Sequence, residues 1–121
     1  MNRTTRFFRY AKEIQRTSRM RQKVGAVVTR GSRAIKSACN APGKPRIIGA
    51  WSRHAEVRAT LNINAEGTTV YVYRQHALNY TPLLAKPCSK CVDWLSYVGV
   101  KEVVYSTSEY PFYEVMLLDK E

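Results

Sequence analysis

The stretch KVGAVVT, residues 23–29, is short, β-branched and almost wholly apolar. A strand with one face in water alternates apolar and polar side chains, so an unbroken apolar run belongs to a strand covered on both faces. The flanking sequence supplies the covering helices. Upstream, Phe7, Ala11, Ile14 and Ser18 recur at helical spacing, while Arg3, Arg6, Arg9, Lys12, Arg16 and Arg19 occupy the other faces. Downstream, Arg30, Gly31 and Ser32 form a turn, and residues 34–39 return as an antiparallel strand. Residues 40–49, with two Pro and two Gly, read as a loop. A helix follows from a candidate N-cap at Ser52 to about Ala65, with Val57 and Leu61 on one face. TTVYVYR, residues 68–74, has strong strand propensity, and residues 75–87 form a second long loop. Pro87 opens a helix that runs to about Val98 and stops at Gly99. Residues 102–105 form another strand, and residues 111–120 read as a terminal helix with Pro111 in its first turn. The order α-β-β-α-β-α-β-α predicts one α/β layered domain over residues 1–121, a mixed sheet of four or five strands with helices on both faces. There is no internal repeat and no linker.

Composition narrows the class of function. The chain has 121 residues, 45% of them hydrophobic, which suits a single globular domain. Its net charge of +11 is uneven: residues 1–48 hold thirteen Lys and Arg against Glu13 alone, and the remainder is nearly neutral. Such a segment is attractive to polyanions, although a solvated basic helix has the same composition. No apolar run reaches the roughly 20 residues that span a bilayer, so no membrane partner is expected. The N-terminal stretch lacks the apolar core of a secretory signal; it shares its Arg-rich character with mitochondrial presequences but reads as the first helix. Three cysteines make a poor disulfide scaffold and suit a reducing cytoplasm with metal-bound or free thiols.

Two short motifs carry chemistry: His54-Ala55-Glu56 and Pro87-Cys88-Ser89-Lys90-Cys91, each expected in the first turn of a helix. Cys88 and Cys91, three apart, face the same way on a helix and can grip one ion. A helix N-terminus also favours thiolate over thiol. Two thiolates and the imidazole of His54 give three ligands for one Zn²⁺, leaving the fourth tetrahedral position to water, as in catalytic zinc sites. Glu56 can reach that water without being a ligand. At this chain's residue frequencies P-C-x-x-C arises by chance in about three sequences per thousand, and H-x-E in about one in ten. Two alternatives use the same thiols: a redox-active C-x-x-C pair, and a closed site with Cys39 as a fourth ligand. Cys39 otherwise reads as a small buried side chain, and His76 as a solvated loop residue.

On these motifs, and from residue 23 through Tyr105, the chain resembles the zinc-dependent cytidine/deoxycytidylate deaminase superfamily, closest to its small, phage-like deoxycytidylate branch. The resemblance implies a cytidine-deaminase-like fold and hydrolytic deamination. Glu56 takes a proton from a zinc-activated water, which attacks C4 of cytosine, and returns protons to the ring and the departing amine. It also implies that the Ala55 N–H binds the base carbonyl, that Asn40 contacts the sugar and that Val27 lines the base pocket. A homo-oligomer is implied as well. Arg58 stands where nucleotide-specific relatives commonly have Asn, and Lys86 replaces an acidic or small residue. Both are candidate phosphate contacts, along with Arg53 and Lys44. Only 13 residues, without Cys or His, separate Asn40 from His54, so the extra zinc site and effector insertion of larger relatives are expected to be absent. Two substrate classes follow. One is a small cytosine nucleotide or nucleoside such as dCMP. The other is cytosine, or less readily adenine, in single-stranded DNA or RNA, for which the basic segment, Trp51 and Tyr80 supply cations and stacking faces. A non-catalytic zinc module is the third reading, and Glu56 argues against it.

Overall fold

The computed structural model describes residues 2–41 and 53–118. Its elements in chain order are α1 (Arg3–Gln15), β1 (Val24–Arg30), β2 (Arg33–Cys39), α2 (Ala55–Thr60), β3 (Thr69–Gln75), β4 (Pro82–Leu83), α3 (Ser89–Tyr97), β5 (Glu102–Ser106) and β6 (Tyr113–Leu117). The sheet order is β2-β1-β3-β5-β6, with the two-residue β4 pairing to the end of β3. All pairs are antiparallel except β3–β5. None of the described helices is long and apolar enough to cross a membrane.

The double-sided burial expected of residues 23–29 is present, and strand periodicity sorts the side chains into two cores. Ala26 and Val28 of β1, Val70 and Val72 of β3, and Val103 and Tyr105 of β5 pack with α2 and α3. Val27, Tyr71, Tyr73 and Val104 lie on the opposite face under Phe7 and Ala11 of α1. Successive residues of a strand point to opposite faces, which is why neighbours such as Val27 and Val28 enter different layers. Phe7 stacks on Tyr71 with ring centroids 5.1 Å apart, and Phe8 meets Tyr71, Tyr73 and Tyr113 at 5.8–6.1 Å.

Helix α1 is capped by the Asn2 side chain, which accepts the Thr5 N–H at 2.8 Å. Phe7, Ala11 and Gln15 are its buried residues, and Ile14 is half-buried. Ser18 lies beyond the helix end; its buried hydroxyl bonds to Asn40 instead of extending the apolar stripe.

Two further expectations are corrected. The helix read over 52–65 begins at Ala55 with His54 as N-cap, so Ser52, outside the described residues, is not its cap. It stops at Thr60. The Thr60 hydroxyl bonds back to the Val57 carbonyl at 2.9 Å, Leu61 turns extended and Asn62 takes φ 62°, a conformation Asn tolerates better than most residues. The terminal helix read over 111–120 is instead the strand β6. Its residues 113–117 pair in register with β5 from Ser106↔Tyr113 to Glu102↔Leu117. Tyr113 packs toward the α1 layer and Met116 toward the other core, a period-two pattern. The edge of β5 would otherwise leave backbone donors and acceptors unpaired, and that demand outweighs modest helix propensity. Of the aromatic residues near the C-terminus, Tyr105 is core, whereas Tyr110 is 87% exposed at the hairpin tip.

Gly25 fixes how closely α1 approaches the sheet. A Cβ there would stand 2.2 Å from the Ala11 carbonyl oxygen and 2.6 Å from the Gln15 backbone nitrogen. Backbone cannot swing aside, so Gly25→Ala should destabilise the protein by about 3 kcal/mol, the upper part of the overpacking range. Urea titration checks this, and an unshifted midpoint would mean that α1 is not seated so tightly.

Candidate metal centre and cleft

The sheet places the two chemical motifs side by side. Helices α2 and α3 pack on the same face, and each presents its first turn to the other. His54 is the N-cap of α2, Cys88 is the N-cap of α3, and Cys91 lies one turn further on. The Trp94 indole N–H of α3 donates to the Thr60 hydroxyl of α2 at 3.0 Å, tying the helices together behind the site.

Across this junction His54 Nδ1 lies 3.0 Å from Cys91 Sγ and 3.9 Å from Cys88 Sγ, with the two sulfurs 3.3 Å apart. Ligand atoms around a tetrahedral zinc are roughly 3.5–3.8 Å from one another, so the trio matches a zinc triangle to within about half an ångström. The soft thiolates and imidazole are also a donor set that zinc prefers. Among the described residues these three are the only His, Cys, Asp and Glu grouped closely enough to hold a metal. Cys39 stands apart, half-buried on β2, and its sulfur accepts from the Thr17 hydroxyl at 3.4 Å. The closed four-ligand site and its use of Cys39 are thereby set aside.

Glu56 is 4% exposed and forms part of the lining of the cleft that His54 and Cys88 open onto. Burial raises its carboxyl above the usual range; its own backbone N–H, the nearby His54 and a hydrogen bond from the Cys91 thiol act in the opposite direction. Burial, followed by the charge of Glu56 and the contact with Cys88, pushes the Cys91 thiol far up. A metal binding there must displace that proton.

The cleft encloses about 520 Å³. Asn40, Ala55, Lys86 and Arg53 are among the residues that line it. Asn40 does more than face the cleft. Its Oδ1 accepts from the Ser18 hydroxyl at 2.7 Å and the Val24 N–H at 3.0 Å, while its Nδ2 donates to the Gln22 carbonyl at 2.7 Å. One amide hydrogen is left for a ligand.

Two site expectations are corrected. Val27 does not line the cleft; it is fully buried under α1 on the far face of the sheet, and the strand residues at the cleft are Val24, Val72 and Arg74. Arg58 also points elsewhere. One turn into α2, it leaves the cleft and donates to the Cys39 carbonyl, so it is not placed for a phosphate there. Lys44 and Trp51 lie outside the described residues. Sequence reasoning missed Met20, Arg21, Gln22, Arg74 and Leu84 in the cleft wall. They carry no motif, and only the fold brings residues 20–24, the end of β3 and the segment before Cys88 to one place. His76 is half-buried, and its Nδ1 accepts the Leu78 N–H at 3.1 Å.

Comparison with known proteins agrees with this geometry. Residues 1–107 match the family described as the cytidine and deoxycytidylate deaminase zinc-binding region. The chain belongs to that family, and His54, Cys88 and Cys91 are positioned to bind its metal. Deoxycytidylate deaminase of Schizosaccharomyces pombe is 30% identical over 107 residues, which cover 78% of this chain; the match spans about one third of that protein, 33%. Among solved structures, the apo dCMP deaminase of cyanophage S-TIM5 superposes with a TM-score of 0.61 at 22% identity, covering 86% of this chain and 82% of that one. The same phage enzyme in complex with dCMP and dUMP gives 0.60 at 21% identity, covering 85% and 79%. A Thermotoga maritima diaminohydroxyphosphoribosylaminopyrimidine deaminase/5-amino-6-(5-phosphoribosylamino)uracil reductase shares the fold with a TM-score of 0.55 at 23% identity, over 88% of this chain and 30% of its own.

Metal analysis of the purified protein should find about one zinc per chain. Cys91→Ser should lose it, and Cys39→Ser should retain it. Loading of the metal-free protein near neutral pH should release about two protons per zinc, because both thiols must ionise; an indicator dye in weak buffer reads the number.

Proposed function

We propose that the protein is a zinc-dependent hydrolytic deaminase that converts a cytosine nucleotide of the dCMP type to the uracil product and ammonia. The observation that carries this reading is Glu56. It is a buried carboxyl in the cleft, two residues from one candidate ligand and hydrogen-bonded to another, yet it is not a member of the metal-binding trio. Metal binding alone has no need of such a group. The names of the fission-yeast and cyanophage relatives, both dCMP deaminases, support the choice of base and sugar phosphate.

His54, Cys88 and Cys91 hold Zn²⁺, which when bound supplies Lewis-acid activation of water near neutral pH. Glu56 manages the protons. Its carboxylate takes one from the attacking water and passes it to the ring nitrogen N3. It then moves the second water proton to the exocyclic amine, which leaves C4 as ammonia, and the carboxylate is restored. A carboxyl whose proton affinity is raised by burial is suited to both directions of transfer. The Ala55 backbone at the cleft wall is the candidate partner of the base carbonyl, and the remaining Asn40 amide hydrogen that of the sugar. Lys86, exposed at the rim, is the candidate phosphate cation.

The zinc-loaded protein should release uracil product from dCMP. Glu56→Gln should keep its zinc while turnover falls about a thousandfold or more, within the range for loss of a general acid–base. Turnover that survives this substitution would remove Glu56 from the chemistry. No product from dCMP, deoxycytidine or a cytosine-containing oligonucleotide would end the deaminase reading.

A further inference from the structure

The hydrogen bonds of the Ser18 hydroxyl all run to residues of the cleft wall, although Ser18 itself is 3% exposed and is not part of that wall. Its oxygen accepts the Met20 N–H at 3.0 Å, which leaves its one hydrogen to donate. Toward Asn40 it meets only oxygens, the side-chain Oδ1 at 2.7 Å and the backbone carbonyl at 3.1 Å. The direction of the chain of bonds is therefore set. It runs from the Met20 N–H through the Ser18 hydroxyl to the Asn40 amide oxygen.

The Asn40 amide cannot reverse within this frame. Its Oδ1 also accepts the Val24 N–H at 3.0 Å, and the Asn40 N–H donates to the Val24 carbonyl at 3.0 Å, so side chain and backbone pair with one residue. Nδ2 donates to the Gln22 carbonyl at 2.7 Å. A reversed amide would set N–H against the Val24 N–H and oxygen against the Gln22 carbonyl, and both bonds would be lost. The side chain thus offers the cleft a single N–H donor and no acceptor.

The segment held by this hub has no regular structure of its own. Helix α1 ends at Gln15 and β1 begins at Val24, yet Met20, Arg21 and Gln22 between them line the cleft. The Ser18 N–H bonds to the Gln15 carbonyl at 3.1 Å, which ties the hydroxyl to the end of α1, and the Lys23 ammonium closes back on the Ser18 carbonyl.

We propose that Ser18 is a positioning residue for the substrate. Acting through Asn40, it fixes the amide as a single donor to the sugar hydroxyl of the nucleotide, and the protein thereby selects nucleotides that carry this hydroxyl. The proposal rests on the reading of the cleft as a cytosine-nucleotide site. A deoxynucleotide of the dCMP type has one free sugar hydroxyl, whose oxygen can accept the Asn40 N–H while its hydrogen points elsewhere. A Ser18 that only supported the fold would affect all ligands alike, with or without the hydroxyl.

Binding and turnover are read separately. Zinc-loaded Glu56→Gln protein is titrated by calorimetry with dCMP and with its dideoxy analogue, which lacks the sugar hydroxyl. dCMP should bind about tenfold more tightly, the upper part of the range for one hydrogen bond. Adding Ser18→Ala should reduce that preference to about twofold or less, chiefly by weakening dCMP. Ser18→Cys, which fills the space with a weaker donor, should do the same, and it supplies the measurement if the alanine variant does not fold. Thr17→Ala removes the neighbouring hydroxyl, which bonds to the Ile14 carbonyl and the Cys39 sulfur outside the cleft wall, and should keep the preference. With Glu56 intact, Ser18→Ala should raise KM for dCMP and leave kcat nearly unchanged. Full preference in the Ser18 variants, equal weakening of both nucleotides, the same loss in Thr17→Ala, or no binding of dCMP would each overturn the proposal. A preference that depends on Ser18, without turnover by the wild type, would retain this role and reject the deaminase reading. Turnover of dCMP with indifference to the hydroxyl would do the reverse.

Discussion

The site depends on one junction: the first turns of α2 and α3 packed against each other on one face of the sheet. In the chain His54 lies 34 residues from Cys88 and 37 from Cys91. The spacing of this trio is fixed by how these two short helices lie on β1, β3 and β5. The Trp94–Thr60 hydrogen bond holds them from behind. It also explains the brevity of α2, since the hydroxyl that receives the indole N–H is the one that folds back on the Val57 carbonyl where the helix ends. A six-residue helix is marginal alone. Here its conformation is imposed by burial of Ala55, Val57 and Ala59 against the sheet, which makes the metal centre a product of tertiary packing.

Much of this could be read from the sequence, for a clear reason. The central strands carry their burial in their composition, and the ligands carry theirs in local spacing, because both lie in the first turns of helices. The C-terminal segment was a different kind of problem. Nothing local distinguishes residues 113–117 as a strand; the open edge of β5 decides it. Val27 failed for a related reason. A resemblance can suggest that a residue borders a pocket, but in a doubly covered strand a shift of one position moves a side chain to the other side of the sheet. The cleft faces Val24 and Val72, while Val27 supports α1. Arg58 shows the same limit on a helix, where the direction of a long side chain is decided by a carbonyl on β2 that the sequence alone does not place nearby.

The positive charge of the N-terminal part divides along the same lines. Its total is visible in composition, yet its use depends on position. Lys12 and Arg16 reach the neighbourhood of the cleft because α1 ends there and the chain turns back through Arg21, Gln22 and Lys23 into β1. The candidate metal ligands and the cations near the cleft therefore come from different parts of the chain, joined by the sheet.

Asn40 gives that joint a thermodynamic character. One side-chain amide receives Ser18 and Val24 and donates to Gln22, while the residue itself walls the cleft. Segment 18–24 and the end of β2 thus surrender their conformational freedom together. Ordering either one lowers the entropic cost of ordering the other. Whatever orders residues 18–24 on one side of the cleft therefore also steadies the end of β2 on the other, through a single amide.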